Sequence, residues 1–148
     1  MAPLWELCSE GKVAEVKAAL ARGEDVNGRG YNRTGLMWAV QLKHNPVVRL
    51  LLEQPEVDLN CRNTNGSTAL HLAASDDNVE GVELLLADPR LNTVNHENKY
   101  GETAVMEAMM NHLFLNDQVN VLHKLTAHPS VDLDTRDRHG RSLEEVAR

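Results

Sequence analysis

The sequence is poor in aromatic residues, which make up only 3% of its 148 residues. A core with so few rings must be filled mainly by leucine, valine and alanine, as is usual where short helices stack in repeats. The apolar fraction of 42% is nevertheless that of a folded globular protein and excludes a disordered chain.

Basic residues are also scarce, with 15 Lys and Arg against 22 Asp and Glu. This balance argues against a nucleic-acid-binding protein, because phosphate contacts require the opposite charge. The longest apolar runs, such as 50–52, are too short to cross a bilayer, and no basic start precedes an apolar stretch as in a secretion signal. We therefore expect a monomeric intracellular protein, cytoplasmic or nuclear, with no membrane or nucleic-acid partner. Its two cysteines are expected to be reduced.

What the sequence does contain is a repeated motif, seen best in Thr68-Ala69-Leu70-His71-Leu72-Ala73-Ala74. Residues 34–40 and 103–109 echo it, residues 2–5 resemble an earlier copy, and residues 142–147 resemble a degenerate later one. The copies start at positions 2, 34, 68, 103 and 142, so they lie 32, 34, 35 and 39 residues apart. Such a period predicts a repeat architecture.

A second motif recurs with nearly the same spacing as the first. Short segments of the type Asp-Val-Asn occur at 25–27, 58–60, 93–95 and 132–134. Between the two motifs lies an apolar pattern at helical spacing, as in Val82 with Leu85 and Leu86. The two motifs and the apolar pattern recur in the same order, which indicates that the chain repeats one structural unit.

These motifs resemble the ankyrin-repeat family, whose repeat is 33 residues long and carries a Thr-Pro-Leu-His-x-Ala signature. The resemblance covers nearly the whole chain and implies an all-α solenoid of helix-turn-helix units with projecting turns. We expect one domain, 1–148, with repeats at approximately 2–29, 30–62, 63–97, 98–136 and a partial repeat at 137–148. The partial repeat is either a polar end cap or a boundary inside a longer protein.

Particular residues predict the local structure of each repeat. The threonine that begins each copy suits a helix N-cap, and Gly66, Gly101 and Gly140 precede the first helices where a turn needs positive φ. Asn45-Pro46 is expected to cap and begin the second helix of repeat two. Repeat four has five extra residues in or near 111–119. There His112-Leu113-Phe114-Leu115 either lengthens and buries the first helix or forms an exposed contact site.

The sequence gives no sign of catalysis. No nucleophile elbow, phosphate-binding loop or dinucleotide fingerprint is present, and His112, His123 and His128 lack metal-ligand spacing. His71 and His44 occupy positions that the resemblance assigns to structural hydrogen bonds. We therefore expect neither an enzyme nor a bound cofactor or metal.

The resemblance implies instead a protein-binding surface at the turn tips and on the exposed side of the first helices. Carried onto this sequence, those positions are Arg29, Tyr31, Arg33, Gln41, Leu42, Arg62, Thr64, Asn65, Ser67, Ser75, Asp76, Lys99, Tyr100, Glu102, Met110, Asn111, Arg138, His139 and Arg141. An adaptor module that binds a partner peptide or domain is the leading interpretation. The alternative is a free-standing stoichiometric inhibitor of an intracellular enzyme such as a kinase.

Two finer expectations concern the partner and a modification. The turn regions concentrate positive charge, so we expect them to form a basic stripe that attracts an acidic partner segment. Its members are Arg29, Arg33, Arg62, Lys99, Arg136, Arg138 and Arg141. Separately, the segment from Leu52 to Asn60 resembles the ankyrin-loop site of asparaginyl hydroxylases, which makes Asn60 a possible hydroxylation site or a structural asparagine.

Overall fold

The chain folds as a stack of helix pairs, one pair for each repeat. The computed structural model describes residues 1–115 and 119–146, and side chains within 1–111 and 120–145. The first helices of successive repeats are α1 (Leu4–Ser9), α3 (Gly35–Gln41), α5 (Ala69–Ser75), α7 (Ala104–Leu115) and α9 (Leu143–Val146), and the second helices are α2 (Val13–Ala21), α4 (Asn45–Leu52), α6 (Val79–Ala87) and α8 (Val119–Ala127). No helix in the described ranges is long and apolar enough to span a membrane.

Helices of the same kind pack side by side. The order α1, α3, α5, α7, α9 forms one layer and the order α2, α4, α6, α8 forms the other, with each repeat contacting its neighbours along the chain. This confirms the predicted all-α solenoid. The only strands among the described residues are β1 (Arg29–Gly30) and β2 (Arg33–Thr34), an antiparallel hairpin at one turn tip.

The core lies between the two layers. Leu36 and Leu70 of the first helices, and Leu51 and Leu85 of the second, are essentially inaccessible to solvent. Equivalent leucines recur once per repeat because each repeat presents the same apolar stripe to the next. The aromatic residues of the described chain contribute none of these buried positions, as their scarcity predicted.

Threonine caps begin three of the first helices. The side-chain oxygens of Thr34, Thr68 and Thr103 accept hydrogen bonds from the backbone N–H three residues later, as predicted. At Thr68 the bond is reciprocated, since the His71 ring nitrogen Nδ1 accepts from the Thr68 backbone N–H at 3.2 Å. The signature histidine thus completes a capping box.

Histidines also join one repeat to the next. Nε2 of His71 lies 3.0 Å from the Glu102 carbonyl in the following turn, and Nε2 of His44 lies 3.0 Å from the Ser9 carbonyl in the preceding repeat. Burial lowers the pKa of His71, which keeps the ring neutral. Both histidines therefore have the structural role that the sequence indicated.

The prediction that Asn45 caps the second helix of repeat two was wrong. The N-cap of α4 is His44, and the Asn45 side chain points instead to the next repeat. There its amide exchanges hydrogen bonds of 2.8 and 2.9 Å with that of Asn78, which is buried and also donates to the Val40 carbonyl. Asn78 is the true cap of its own helix, α6, accepting from the Gly81 N–H. Spacing alone could not distinguish a cap from this inter-repeat amide pair.

The five extra residues of repeat four lengthen its first helix. Helix α7 has 12 residues, against 7 for α3 and for α5. The lengthening agrees with the first of the two predicted alternatives, a first helix that is both longer and buried. Burial of this segment stays a prediction, because the structure does not describe the side chains of His112, Leu113, Phe114 and Leu115.

Two turns between paired helices are strained. Gly11 has φ 70° in the first repeat, but Lys43 and Asp77 adopt φ 61° and 54° at the equivalent places. A residue with a Cβ is unfavourable there, and the conformation persists because the packed helices on both sides impose it.

Lys43→Gly is therefore expected to stabilise the protein by about 0.5–1 kcal/mol, because glycine adopts this φ without strain. The measurement is the free energy of unfolding in urea. Lys17→Gly is the matched control, since Lys17 is exposed within α2 and glycine in a helix costs about 1 kcal/mol. A destabilising effect of the change at position 43 would contradict the strain at that turn.

Candidate functional site

Three of the turn tips are each organised by one polar side chain, whereas the first tip is the β1–β2 hairpin. The side-chain oxygen Oδ1 of Asn63 accepts from the backbone N–H of Asn65 at 2.9 Å and of Ser67 at 3.0 Å. Asn98 and Asp137 make the same pair of bonds in the next two tips. These internal bonds satisfy the turn backbone, so the tips can project without a sheet to support them.

Neighbouring tips are in direct contact. The Lys99 backbone N–H donates to the Asn65 carbonyl at 2.8 Å, and the Arg29 guanidinium donates to the Arg62 carbonyl at 2.8 Å. A Cβ placed on Gly101 would lie 2.6 Å from the Arg138 nitrogen, so this turn requires glycine for space as well as for its φ of 74°. The tips therefore form one continuous edge.

A groove of about 290 Å³ runs between this edge and the first helices at repeats three and four. Its turn-tip wall comes from repeats three and four, and its helix wall from α5 and α7. Its lining residues are Arg33, Asn63, Asn65, Ser67, Leu72, Ser75, Asn98, Tyr100, Glu102, Glu107, Met110 and Asn111.

The structure brings eight of the predicted partner-binding residues together in this groove. They are Arg33, Asn65, Ser67, Ser75, Tyr100, Glu102, Met110 and Asn111. The remaining eleven do not line it and lie along the tips or at the helix ends. They are Arg29, Tyr31, Gln41, Leu42, Arg62, Thr64, Asp76, Lys99, Arg138, His139 and Arg141.

Ser67 differs from the exposed tip residue that the sequence predicted. It is only 6% exposed, because the turn folds over it, yet its side chain reaches the groove. Within the described residues, only its backbone atoms are hydrogen bonded. Its hydroxyl is thus an unused polar group in the groove wall.

Glu107 is the most perturbed group in the groove. Partial burial, together with the nearby charge of Glu102, raises the pKa of its carboxyl to about 7. Its Oε1 accepts from the Asn98 amide at 3.0 Å, and the same amide nitrogen donates to Oε2 of Glu102 at 3.2 Å. Two carboxylates therefore share one amide donor on the groove floor.

The sequence analysis missed four lining residues: Asn63, Leu72, Asn98 and Glu107. A signal for Glu107 was present, because its place in the motif is held by Trp38 in repeat two and by Leu72 in repeat three. An acidic residue at a slot that is otherwise apolar points to a local polar environment. The tip asparagines gave no such signal, since asparagine is ordinary in turns.

Aromatic residues gather at the other end of the edge. The Trp5 ring meets the Tyr31 ring edge to face at 5.5 Å between centroids and the Trp38 ring at 6.3 Å. The Arg33 guanidinium lies over Trp38 at 4.8 Å from its ring centroid and donates to the Gln41 side chain. Tyr31 is 81% exposed at the hairpin tip, where a two-residue turn holds it at φ 52°.

The basic stripe is only partly available to a partner. The guanidinium groups of Arg29, Arg33 and Arg141 are engaged within the chain, the last by Asp137 at 2.6 Å. Lys99 and Arg138 lie beside the Tyr100 ring, 5.0 and 5.7 Å from its centroid. Arg136 donates to the Gly140 carbonyl and lies 3.6 Å from the Glu145 carboxylate. Arg62, Lys99 and Arg138 are exposed and form no ion pair among the described residues, although Arg138 also donates to the His139 ring.

Asn60 ties its loop to the next repeat. Its amide donates to the Arg90 carbonyl at 2.9 Å, while its oxygen accepts from the Asn92 N–H at 3.0 Å and the Thr93 hydroxyl at 2.9 Å. Asn27 and Asn95 make similar bonds to the repeats that follow them. These bonds agree with the structural interpretation of Asn60, and its hydroxylation stays a prediction.

The described residues contain no group of three or more His, Cys, Asp or Glu arranged to hold a metal ion. His96 and His128 both line a second, larger cavity of about 580 Å³ near the loop 91–96. His112 lies outside the described side chains. The polar groups of the first groove are hydrogen-bond donors and acceptors suited to recognition of another molecule.

A family model described as ankyrin repeats in three copies matches residues 54–137, more than half of the chain. The chain belongs to the ankyrin-repeat family. A second ankyrin-repeat model, in many copies, matches residues 20–73. The ankyrin fold explains the tips, the two helix layers and the groove as features of one repeated unit.

The chain is similar to segments of much longer ankyrin-repeat proteins. It is 35% identical over 85 residues to human transient receptor potential cation channel subfamily A member 1, covering 57% of this chain and 8% of that protein. It is 40% identical over 92 residues to a probable E3 ubiquitin-protein ligase, XBOS33, of Oryza sativa subsp. japonica, covering 58% and 17%. Human Rabankyrin-5 is 26% identical over 136 residues, covering 91% of this chain and 11% of its own length. The chain thus spans under a fifth of each of these relatives.

The pKa of Glu107 predicts a pH-dependent stability. The folded-state pKa of Glu107 is about 7, above the ordinary 4.5. The contribution of this group to the free energy of unfolding is therefore complete below pH 4.5 and is lost as the pH rises through 7. Glu107→Gln removes the ionisation, so at pH 8 we expect the variant to exceed the parent protein in free energy of unfolding by about 2 kcal/mol, and much less at pH 5. Urea unfolding at both values measures this.

Glu53→Gln is the control, since Glu53 is an exposed acid at the end of a second helix. It removes the same charge without any buried carboxyl and should leave the pH dependence of stability unchanged. An unchanged pH dependence in Glu107→Gln would show that Glu107 ionises normally in the folded protein.

Proposed function

We propose that this ankyrin-repeat domain is an adaptor module that binds a segment of a partner protein along its turn tips and groove. Ankyrin repeats in general mediate protein–protein interaction. The observation that carries the proposal is the groove between the tips and helices α5 and α7, which gathers eight residues of the types expected at an interface. Placement in the cytoplasm or nucleus and a monomeric state belong to the same proposal.

Physical features of the groove support binding of an extended segment. It is open along one side, about 290 Å³ in volume, and lined mainly by polar side chains from two adjacent repeats. The exposed Tyr100 lines it, and tyrosine is among the residues that most often dominate binding energy. A rigid scaffold with bonded tips also lowers the entropic cost of binding.

No observation specifically favours the alternative of a free-standing inhibitor. The relatives described above are all longer proteins, of which the similar segment is a small part. We therefore propose the adaptor role alone.

Site-specific photocrosslinking tests this proposal. Tyr100→p-benzoylphenylalanine is expected to capture a partner in a lysate of the source organism, and Leu42→p-benzoylphenylalanine is expected to capture the same protein. Ala87 is exposed on the opposite layer of helices, so Ala87→p-benzoylphenylalanine is the control and should give little of that product. Capture through Ala87 and not through Tyr100 would place the interface on the second helices.

The exposed cations of the tips further suggest that the partner segment carries acidic residues. Reversing Arg62, Lys99 and Arg138 to Glu together should lower the association rate with the captured partner by about tenfold at low ionic strength and flatten its dependence on salt. Arg33 is left unchanged because its guanidinium is engaged within the chain.

Charge reversal at Lys17, Arg49 and Lys124 provides the matched control. These cations lie on the second helices, and their reversal changes the net charge equally. Arg49 and Lys124 form ion pairs with Glu80 and Glu83, so a thermal melt must first show that the control variant is folded. If both triple variants slow association to the same extent, the effect belongs to net charge and the tips have no special part in attraction.

A further inference from the structure

The floor of the groove is negative although its rim is positive. Carboxylates of Glu102 and Glu107 line the groove, and the charge of Asp76 at the end of α5 also reaches Glu107. The one cation that lines the groove among the described residues is Arg33, whose guanidinium is already occupied by Gln41 and Trp38. The groove lining thus has two carboxyl groups and one cation, whose hydrogen bond and ring contact are made with Gln41 and Trp38.

The two glutamates retain unused hydrogen-bond capacity. A carboxylate can accept about four hydrogen bonds. Among the described residues, Glu107 and Glu102 each accept one side-chain hydrogen bond, in both cases from the Asn98 amide. The remaining lone pairs lie in a partly desolvated groove, where a charged donor would be worth more than in water.

A second, independent feature lies in the opposite wall. Ser67 is 94% buried, lines the groove, and has no hydrogen-bond partner for its hydroxyl within the described residues. The residue is largely buried and lines the groove, and its hydroxyl makes no hydrogen bond among the described residues, so a donor that enters the groove can bind it. The hydroxyl can accept a further N–H.

The size of the groove limits what can enter. Sites for whole small molecules measure about 300–1,000 Å³, and 290 Å³ lies at the lower end. A single long side chain carrying several N–H donors suits this space. The planar guanidinium, with five donors in a fixed fork, matches two carboxylates better than the compact ammonium of lysine.

We propose that the groove between repeats three and four binds an arginine side chain of the partner segment, with Glu107 and Glu102 as carboxylate acceptors and Ser67 as a further acceptor. This inference rests on the proposed function and specifies the chemistry of the partner. The segment would place its arginine on the acidic floor and its acidic residues along the basic tips.

Binding of the guanidinium requires Glu107 in its ionised form. The charged groups that face Glu107 are Glu102 from the turn, Asp76 from the end of α5 and Arg33 from repeat two, and Lys43 acts on Asp76. Burial, with the charges of these two acids, raises the pKa of Glu107 to about 7, so its carboxyl is partly protonated in the free domain at neutral pH. Affinity for arginine should therefore rise between pH 6 and pH 8, as the free carboxyl loses its proton.

The test uses N-acetyl-arginine methylamide as the probe, titrated into the ¹⁵N-labelled domain at pH 7.5. We expect saturable shifts of the backbone amide signals of Ser67, Asn98 and Gly101. The lysine analogue should bind at least about threefold more weakly, and the neutral citrulline analogue should give no saturable shift. Glu107→Gln should weaken arginine binding by about tenfold or more, whereas Glu53→Gln should not change it.

Equal binding of the citrulline analogue, or unchanged binding of arginine to Glu107→Gln, would overturn the proposal. A thermal melt confirms that each variant is folded before titration. With the partner captured through Tyr100, undiminished binding to Glu107→Gln would reject the arginine site while leaving partner binding intact. Failure of crosslinking at Tyr100 would instead count against the proposed function.

Discussion

Close contact between neighbouring repeats makes every other feature of this molecule possible. Each repeat has an apolar stripe that it cannot cover by itself, and the next repeat buries it. The small residues Ala39, Ala73 and Ala108 are at most 2% exposed, so the first helices can approach closely. Larger side chains there would separate the helices and open the core.

Specific hydrogen bonds then fix how each repeat sits on its neighbour. The rings of His44 and His71, the amide pair of Asn45 with Asn78, and the loop asparagine Asn60 all connect groups in different repeats. Apolar packing alone would allow the repeats to slide or rotate, whereas these directional bonds are satisfied in one arrangement. The same stacking holds Lys43 and Asp77 at a positive φ, which suits glycine, because the packed helices on either side fix the path of the turn.

The separation of charge within the binding surface follows from this geometry. Turn tips project away from the core, where their cations stay hydrated, while the groove floor lies against the first helices and loses water. An acidic residue in a first helix is consequently perturbed, as Glu107 is, whereas cations at the tips keep their charge exposed. A partner segment would meet the positive edge before it reached the negative floor.

The sequence by itself determined the repeat, the order of helices, the threonine caps and the role of His71, because each depends on contacts within one repeat or on a strict period. Eight of the residues that it indicated also line the groove, since tip and first-helix positions follow from the repeat register. Only the tertiary structure decided the environment of Glu107, the concealment of Ser67 and the pairing of Asn45 with Asn78. Each of these depends on atoms about 30 or more residues apart or on water excluded by folding, and no local pattern records such distances.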